Sequence, residues 1–472
     1  MGALSLLVSS GLGVMIWRMP LPAPAVSPIH LPSTLEGHQE TDTSRKTPNL
    51  LLITLDTFRP DHLSSYGYRK VRTPHLDALA KEGVVFERAQ VQAPLTSVSH
   101  ASILTSLYPP RHGVRAVTRS PMLSKRAVTL TEILRDAGYS TGAVVAAAPL
   151  APGSGLERGF DRYDFESSPG RSAFFGMRQS MVARVTSRLQ IFPDYGAFRR
   201  ASEQTDHALG WLDSGATAPF FLWVHYFDAH DPYAPPRRVM GADLHPGTSW
   251  VDRFCRWYLY DSEVALVDAE IGRLMEGLRQ RGLEDRTVVA IISDHGEGLG
   301  EHGYVGHSSR LFDEQLHAAF LLRDPSMLPQ GFRLRSQVRE IDLMPTLLEL
   351  LGRDVPQGLQ GMSLLPLIQG IAAPHDLLSL SETMQSRRGS LVSASDGRFK
   401  LIHAPHTDDW TLYDLEGDPR ETENVAATRK TDLERLRQSI LAYLGEGSPT
   451  DGRPNPANPE IEMKLRSLGY VH

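Results

Sequence analysis

Four short stretches of the chain concentrate side chains that can hold a cation, move a proton or attack an electrophile. Leu55-Asp56-Thr57 sets an acid directly behind an apolar run, and Pro94 to Ser102 brings hydroxyls and His100 into a helix start. His225 to Pro232 pairs two histidines with two aspartates, while Ser293 to His307 strings Asp294, His295, His302 and His307 between glycines. Two carboxylates, an imidazole and a hydroxyl (Asp56, Asp294, His295 and Thr96) form the mixed oxygen and nitrogen set that suits a divalent cation. A hydroxyl beside such a cation can lose its proton near neutral pH and act as a nucleophile. Thr96 stands where free backbone N–H groups at a helix start favour an anionic substrate, and His100, four residues on, shares its helical face. Taken singly, each of these features is ordinary; a threonine before a helix is most often just a cap.

The elements that must position them follow from hydrophobic patterning. Leu50 to Leu55 is a short continuous apolar run, and similar runs occur at Thr141–Ala147, Phe220–Phe227 and Val288–Ile292. Helical patterns at Pro74–Lys81, Ser99–Leu107, Leu130–Ala137, Arg199–Leu212 and Asp252–Arg281 alternate with them. That alternation predicts an α/β fold, a large mostly parallel sheet covered by helices on both faces. Ligands of such sheets sit at the carboxyl ends of the strands, which is where Asp56 and Asp294 fall. Val264, Leu266, Val267 and Ile271 read as the buried face of the longest helix, and Trp211, Trp223, Trp257 and Trp410 as core or pocket wall. Arg199-Arg200 reads as a solvated helix start. Beyond about residue 375, short β-like runs separated by Asp-Gly and Gly-Asp turns lead into an amphipathic helix, Leu433–Leu444. They predict a small C-terminal α+β antiparallel-sheet unit.

Composition narrows the chemistry. The chain has 472 residues with 49 basic and 55 acidic side chains, a net charge of −6, which argues against a nucleic-acid partner. Cys255 is the single cysteine, so no internal disulfide, Cys-rich zinc site or iron–sulfur cluster can form. It reads as an inert core thiol. Ala3 to Trp17 is apolar, and Ala23-Pro24-Ala25 offers a small-x-small cleavage site. Residues 1–25 therefore read as a signal peptide or membrane anchor and 26–47 as a linker. A catalytic domain over 48–374, the small unit over 375–446 and a tail over 447–472 complete the plan. The expected location is exported, periplasmic or extracellular. Membrane association through residues 3–17 stays open, as does a plain N-terminal tail.

Taken together and in order, these stretches resemble the sulfatase family of the alkaline phosphatase superfamily. The resemblance runs from Leu52-Ile53-Thr54-Leu55-Asp56 through Thr73-Pro74-His75-Leu76-Asp77 and Pro94–Thr105 to Tyr108-Pro109-Pro110-Arg111-His112-Gly113. It continues in Ala229–Tyr233, Ser293–Gly296, Gly300–Gly303 and Leu412–Leu415 with Asp418, Pro419 and Glu421. What it implies is one divalent metal ion (Ca, Mn, Zn or Mg) on Asp56, Asp294 and His295, with Thr96 completing the shell as nucleophile. It implies that His230 contacts the anion, that His307 stands where many members have a lysine and steadies the leaving group, and that His100 replaces an arginine. His302 lies in the Gly-Glu-His-Gly segment, with a direct role and a loop-shaping role both open. Two-metal relatives carry Asp-x-x-x-His plus a distant His; Asp228, His230 and His307 approximate that set with the wrong Asp-x-His spacing, so one metal with protonated His230 and His307 is expected and a second metal stays open.

The departures from the family pattern set the expected chemistry. The family's nucleophile is a Cys or Ser converted to formylglycine within Cys/Ser-x-Pro-x-Arg, whereas this chain has Thr96-Ser97-Val98-Ser99-His100. Formylglycine is therefore not expected; modification of Ser97 would need a shift of register by one residue. A Lys- and His-bearing family segment is replaced by Ala146-Ala147-Ala148-Pro149-Leu150. A formylglycine hydrate ejects sulfate by elimination, and a sulfated threonine has no geminal hydroxyl with which to do so. The expectation is a metal-dependent hydrolase of sulfate or phosphate esters, with phosphoester chemistry favoured, acting on a small anionic ester such as a sulfated or phosphorylated glycan, lipid or small molecule. The alternatives are a membrane-associated phosphoryl or headgroup transferase, or a non-catalytic anion-binding relic. Loops at Ser167–Tyr195 and Ala234–Trp250 are expected to set specificity.

Overall fold

The computed structural model describes residues 47–116, 122–165, 199–214, 216–231, 233, 235, 256–372, 375–386 and 389–445. The expectations for residues 1–25, the tail, Cys255 and most of both specificity loops fall outside these.

The chain folds around a nine-stranded sheet. Its strands are β1 (Asn49–Leu55), β2 (Val84–Gln90), β3 (Ser140–Val145), β4 (Arg162–Phe165), β5 (Phe220–Tyr226) and β6 (Thr287–Ser293). After a two-stranded ribbon of β7 (Gly298–Leu299) and β8 (Val305–Gly306) come β9 (His317–Ala318), β10 (Phe320–Arg323) and β11 (Phe332–Arg339). The order is β11-β2-β10-β6-β1-β5-β3-β4, with β9 beside β2. β6, β1, β5, β3 and β4 run parallel, while β10 is antiparallel to β6 and β2.

Both faces of the central strands are covered, which is why they read as unbroken apolar runs. Leu50 and Leu52 face one core with the helices Thr96–Thr105, Leu130–Asp136 and Leu343–Leu350. Leu51, Ile53 and Leu55 face the other, under Pro74–Glu82, Ala201–Ser214 and Arg256–Gln280. The alternation has a consequence for the site. Asp56 continues the parity of Leu50, Leu52 and Thr54, and Asp294 continues that of Val288, Ala290 and Ile292. Both acids leave the sheet on the face covered by the helix that starts at Thr96.

The expected C-terminal sheet is present as a four-stranded antiparallel meander, β12 (Ser379–Ser386), β13 (Gly389–Ser395), β14 (Phe399–Ala404) and β15 (Asp409–Asp414). Leu436, Ile440 and Tyr443 of the helix Lys430–Leu444 pack on Val392, Ala394, Leu401 and Leu412. Leu391, Ile402 and Tyr413 join the main core from the opposite face.

Three local readings are corrected. The helix expected from Ser99 begins at Thr96. Arg199 is no solvated residue: it is 5% exposed and bonds Asp164 at 2.8 Å, while Arg200 pairs with Asp228 and Glu263. Trp257 is 46% exposed rather than core, held by a bond from its indole N–H to the Leu299 carbonyl. Among the described residues no helix is long and apolar enough to cross a membrane.

Candidate active site

The two acids are fixed by continuation of the strand ladder. The Asp56 N–H donates to the Tyr226 carbonyl at 2.9 Å, and the Asp294 N–H donates to the Leu55 carbonyl at 3.3 Å. Thr57 then turns the chain away at φ 60°, a left-handed conformation that costs a β-branched residue. Neighbours hold it there. Its N–H donates to Asp294 Oδ1 at 3.2 Å, and the Tyr260 hydroxyl donates to its carbonyl at 2.7 Å. The His295 N–H also donates to Asp294 Oδ1 at 2.8 Å. With Oδ1 doubly engaged, Oδ2 of Asp294 is left facing inward.

Thr96 opens its helix over this point. Its Oγ1 lies 3.3 Å from Asp56 Oδ2 and 3.4 Å from His295 Nε2, longer than a close-packed hydroxyl bond. The Nδ1–H of His295 donates to the Gly296 carbonyl at 3.0 Å, which turns the Nε2 lone pair toward the acids. One ligand atom each from Asp56, Asp294 and His295 lies within 4.8 Å of the others, all three residues buried. Asp56 Oδ1 and Asp294 Oδ2 are buried without a hydrogen-bond partner. Orphaned carboxylate oxygens converging on an imidazole lone pair are what a divalent cation would satisfy, so these residues fit the expected metal.

Electrostatics point the same way. Burial lifts Asp56 from 3.8 to about 7. Burial and the neighbouring Asp56 carboxylate raise Asp294 as well. For His295, burial favours the neutral ring, but Asp294 and Asp56 outweigh it and the net shift is upward. Two acids crowded together out of water need protons or positive charge, and a cation would supply the charge.

Of the remaining expected residues, two join this cluster. The ring of His307 lies 4.5 Å from that of His295 and 4.8 Å from that of His230. His230 stacks on Phe227 and donates from Nδ1 to the Asp231 carbonyl at 2.6 Å. The expectation that both rings are protonated is corrected: burial holds each well below 6.5, so both are neutral in the free protein. His100 is buried with Nδ1 donating to the Thr96 carbonyl at 2.7 Å and Nε2 meeting Thr54 Oγ1 at 3.0 Å. Burial drives it down to about 3, so it braces the helix start without replacing an arginine's charge. His302 stands apart, stacked on Phe312 with ring centroids 3.8 Å apart. Asp228 faces Arg200. Ala146 to Leu150 is buried apolar chain that brings no cation.

Two residues were given no role from sequence. Glu297 is fully buried and holds His307 Nδ1 at 3.2 Å from its Oε1. Burial lifts it to about 8. Its place two residues past His295 in a glycine-flanked turn was the available clue. Glu297→Gln keeps the shape and removes the acid. Measured by steady-state kinetics, kcat is expected to fall about 10- to 100-fold, as when the partner orienting a site imidazole is lost, with KM nearly unchanged. The other is His225, whose Nε2 lies 3.4 Å from Asp56 Oδ2.

With this geometry established, comparison with known proteins identifies the fold's lineage. The sulfatase family model matches residues 48–353, and an N-sulphoglucosamine sulphohydrolase C-terminal model matches residues 300–444. The chain belongs to the sulfatase family. It is a sulfatase-family ester hydrolase, built on a sheet and a C-terminal meander of the expected kind. Steryl-sulfatase of Rattus norvegicus is 24% identical over 537 residues, covering 86% of this chain and 90% of that protein. Choline-sulfatase of Rhizobium meliloti is 24% identical over 434 residues, covering 80% and 82%. Among solved structures, a complex with D-glucosamine-2-N,6-O-disulfate superposes with TM-score 0.69 at 20% identity, covering 85% of this chain and 98% of that one. Phosphonate monoester hydrolase of Agrobacterium radiobacter superposes with TM-score 0.66 at 24% identity, covering 84% and 95%.

Proposed function

We propose that the protein hydrolyses small anionic esters by way of a covalent Thr96 ester and prefers phosphoesters to sulfate esters. The observation that carries this reading is the position of Thr96. Its hydroxyl starts a ten-residue helix and lies between Asp56 Oδ2 and His295 Nε2. A divalent cation on Asp56, Asp294 and His295 would supply Lewis acidity, lowering the pKa of a hydroxyl beside it and neutralising charge on the transferred group.

The chain's own residues do the rest. Thr96 Oγ1 attacks phosphorus in line, forming the Oγ1–P bond as the bond to the leaving oxygen breaks. The threonine proton passes to solvent by way of the Asp56 carboxylate, and the leaving oxygen takes a proton from solvent, while the neutral His230 and His307 rings line that side of the site. The helix that starts at Thr96 turns the positive end of its dipole toward the anion. Water then attacks phosphorus, the Oγ1–P bond breaks, and Oγ1 regains a proton. This second step distinguishes the two ester classes. Threonine has no geminal hydroxyl to expel sulfate by elimination, whereas attack of water at phosphorus is ordinary hydrolytic chemistry. Loss of cationic groups at His100 and Ala146–Ala148 further suits a singly charged diester or phosphonate monoester over a dianion. The phosphonate monoester hydrolase neighbour supports phosphorus chemistry on this architecture, and the neighbour bound to glucosamine disulfate supports a sugar ester as substrate. In this reading the apolar N-terminal stretch routes the enzyme out of the cytoplasm.

Steady-state comparison of a nitrophenyl phosphate diester, a nitrophenyl phosphonate monoester and nitrophenyl sulfate tests the preference. The reading predicts the highest kcat/KM on one of the phosphorus esters. Fast multiple turnover of the sulfate with little phosphoesterase activity would overturn it.

A further inference from the structure

His225 sits on β5 in register with Thr54 of β1. That register puts its side chain on the face from which Asp56 and Asp294 emerge. The residue is wholly buried, yet neither ring nitrogen has a hydrogen-bond partner, although a buried imidazole normally makes at least one such bond. Its Nε2 lies 3.4 Å from Asp56 Oδ2, and one of its ring nitrogens falls within 4.8 Å of the ligand atoms of Asp294 and His100. His100 is not the counterpart it resembles in that group. Its Nδ1–H is spent on the Thr96 carbonyl and its Nε2 on Thr54. Of these two histidines only His225 has a lone pair to give, and it stands beside Asp56 and Asp294, whose Oδ1 and Oδ2 respectively are orphaned.

We propose that His225 is a fourth protein ligand of the cation site, joining Asp56, Asp294 and His295 so that two imidazoles face two carboxylates. The proposal rests on reading those three residues as a cation site. A second imidazole shifts preference away from the hard, oxygen-seeking Ca²⁺ and Mg²⁺ toward Zn²⁺ or another borderline metal. It also places a ligand on β5, so that β1, β5 and β6 each contribute a side chain to the ion.

The test counts imidazoles and measures affinity, independently of turnover. Metal-free wild type, His225→Gln and Asp294→Asn are titrated with Zn²⁺ and with Ca²⁺ by calorimetry. Electron spin-echo modulation on the Cu²⁺-loaded proteins counts coordinated imidazoles. Two imidazoles are expected in wild type and one in His225→Gln. Zn²⁺ affinity of His225→Gln should fall about 10-fold or more, with Ca²⁺ affinity changed far less. A single imidazole in the wild-type spectrum overturns the proposal without recourse to any variant. So does a His225→Gln protein that binds Zn²⁺ as wild type does. If Asp294→Asn loses metal while His225→Gln does not, only the role of His225 fails. If Asp294→Asn also binds like wild type, the cation site itself has been misplaced.

Discussion

Thr96→Ala is expected to lower kcat/KM on aryl phosphate diesters by at least about 10³-fold, ~4 kcal/mol of transition-state stabilisation. The size of the effect follows from the role: a residue that forms the covalent bond has no understudy, and what survives is the rate supported by binding and electrostatics alone. The substitution is mild for the fold. Thr96 is the first residue of its helix, its hydroxyl contacts to Asp56 and His295 are long, and alanine is the best helix former. Circular dichroism and melting temperature of the variant should match wild type. Thr96→Ser retains a hydroxyl at the same position and should recover turnover, separating loss of the nucleophile from loss of a shape. A Thr96→Ala protein with wild-type activity would mean that the ester bond is broken elsewhere.

The second large effect is removal of the metal. Chelation, or Asp294→Asn, is expected to abolish turnover, and adding back a divalent cation should restore it in the wild type only. The buried acids give this a stability signature as well. In the metal-free protein Asp56 is lifted from 3.8 to about 7 and Asp294 is lifted too. The folded chain therefore keeps protons that the unfolded chain releases above about pH 4, and stability must fall as pH rises from there through about 7. A cation replaces those protons and binds the folded state alone, adding about 2.7 kcal/mol at a hundredfold excess over Kd. Melting curves of stripped and loaded protein should thus differ little near pH 5 and diverge toward pH 8. Curves that stay parallel would mean that these carboxylates hold no ion.

Much of this arrangement was readable in advance because burial on both faces leaves a plain mark. β1, β3, β5 and β6 are apolar runs, and two of them end at the acids that matter. β2 and β11 escaped the same reading for a physical reason. In Val84–Gln90 the half-buried Glu87 and Arg88 interrupt the apolar run, and Phe332–Arg339 is an edge strand that exposes Arg333 and Arg335. β10 is only four residues long and runs against its neighbours, which no hydrophobic pattern discloses. At the site, Asp56, Thr96, Asp294 and His295 could be named as candidates from residue type and placement, and His230 and His307 only through the family resemblance. Glu297 and His225 could not be assigned roles, because what marks them is register and an unmet hydrogen bond. The charge on His230 and His307 was misjudged for a related reason: an imidazole's protonation depends on how deeply it is buried, and spacing carries no record of depth.

The central claim is that an ester bond passes through Thr96. Intact-mass analysis after brief acid quench of wild-type protein with an aryl phosphate diester, followed by peptide mapping, tests it most directly. The account predicts a mass increase matching the transferred phosphoryl group, located on Thr96 and absent from Thr96→Ala. An adduct on Ser97 or any other residue, or one that persists in Thr96→Ala, would contradict it.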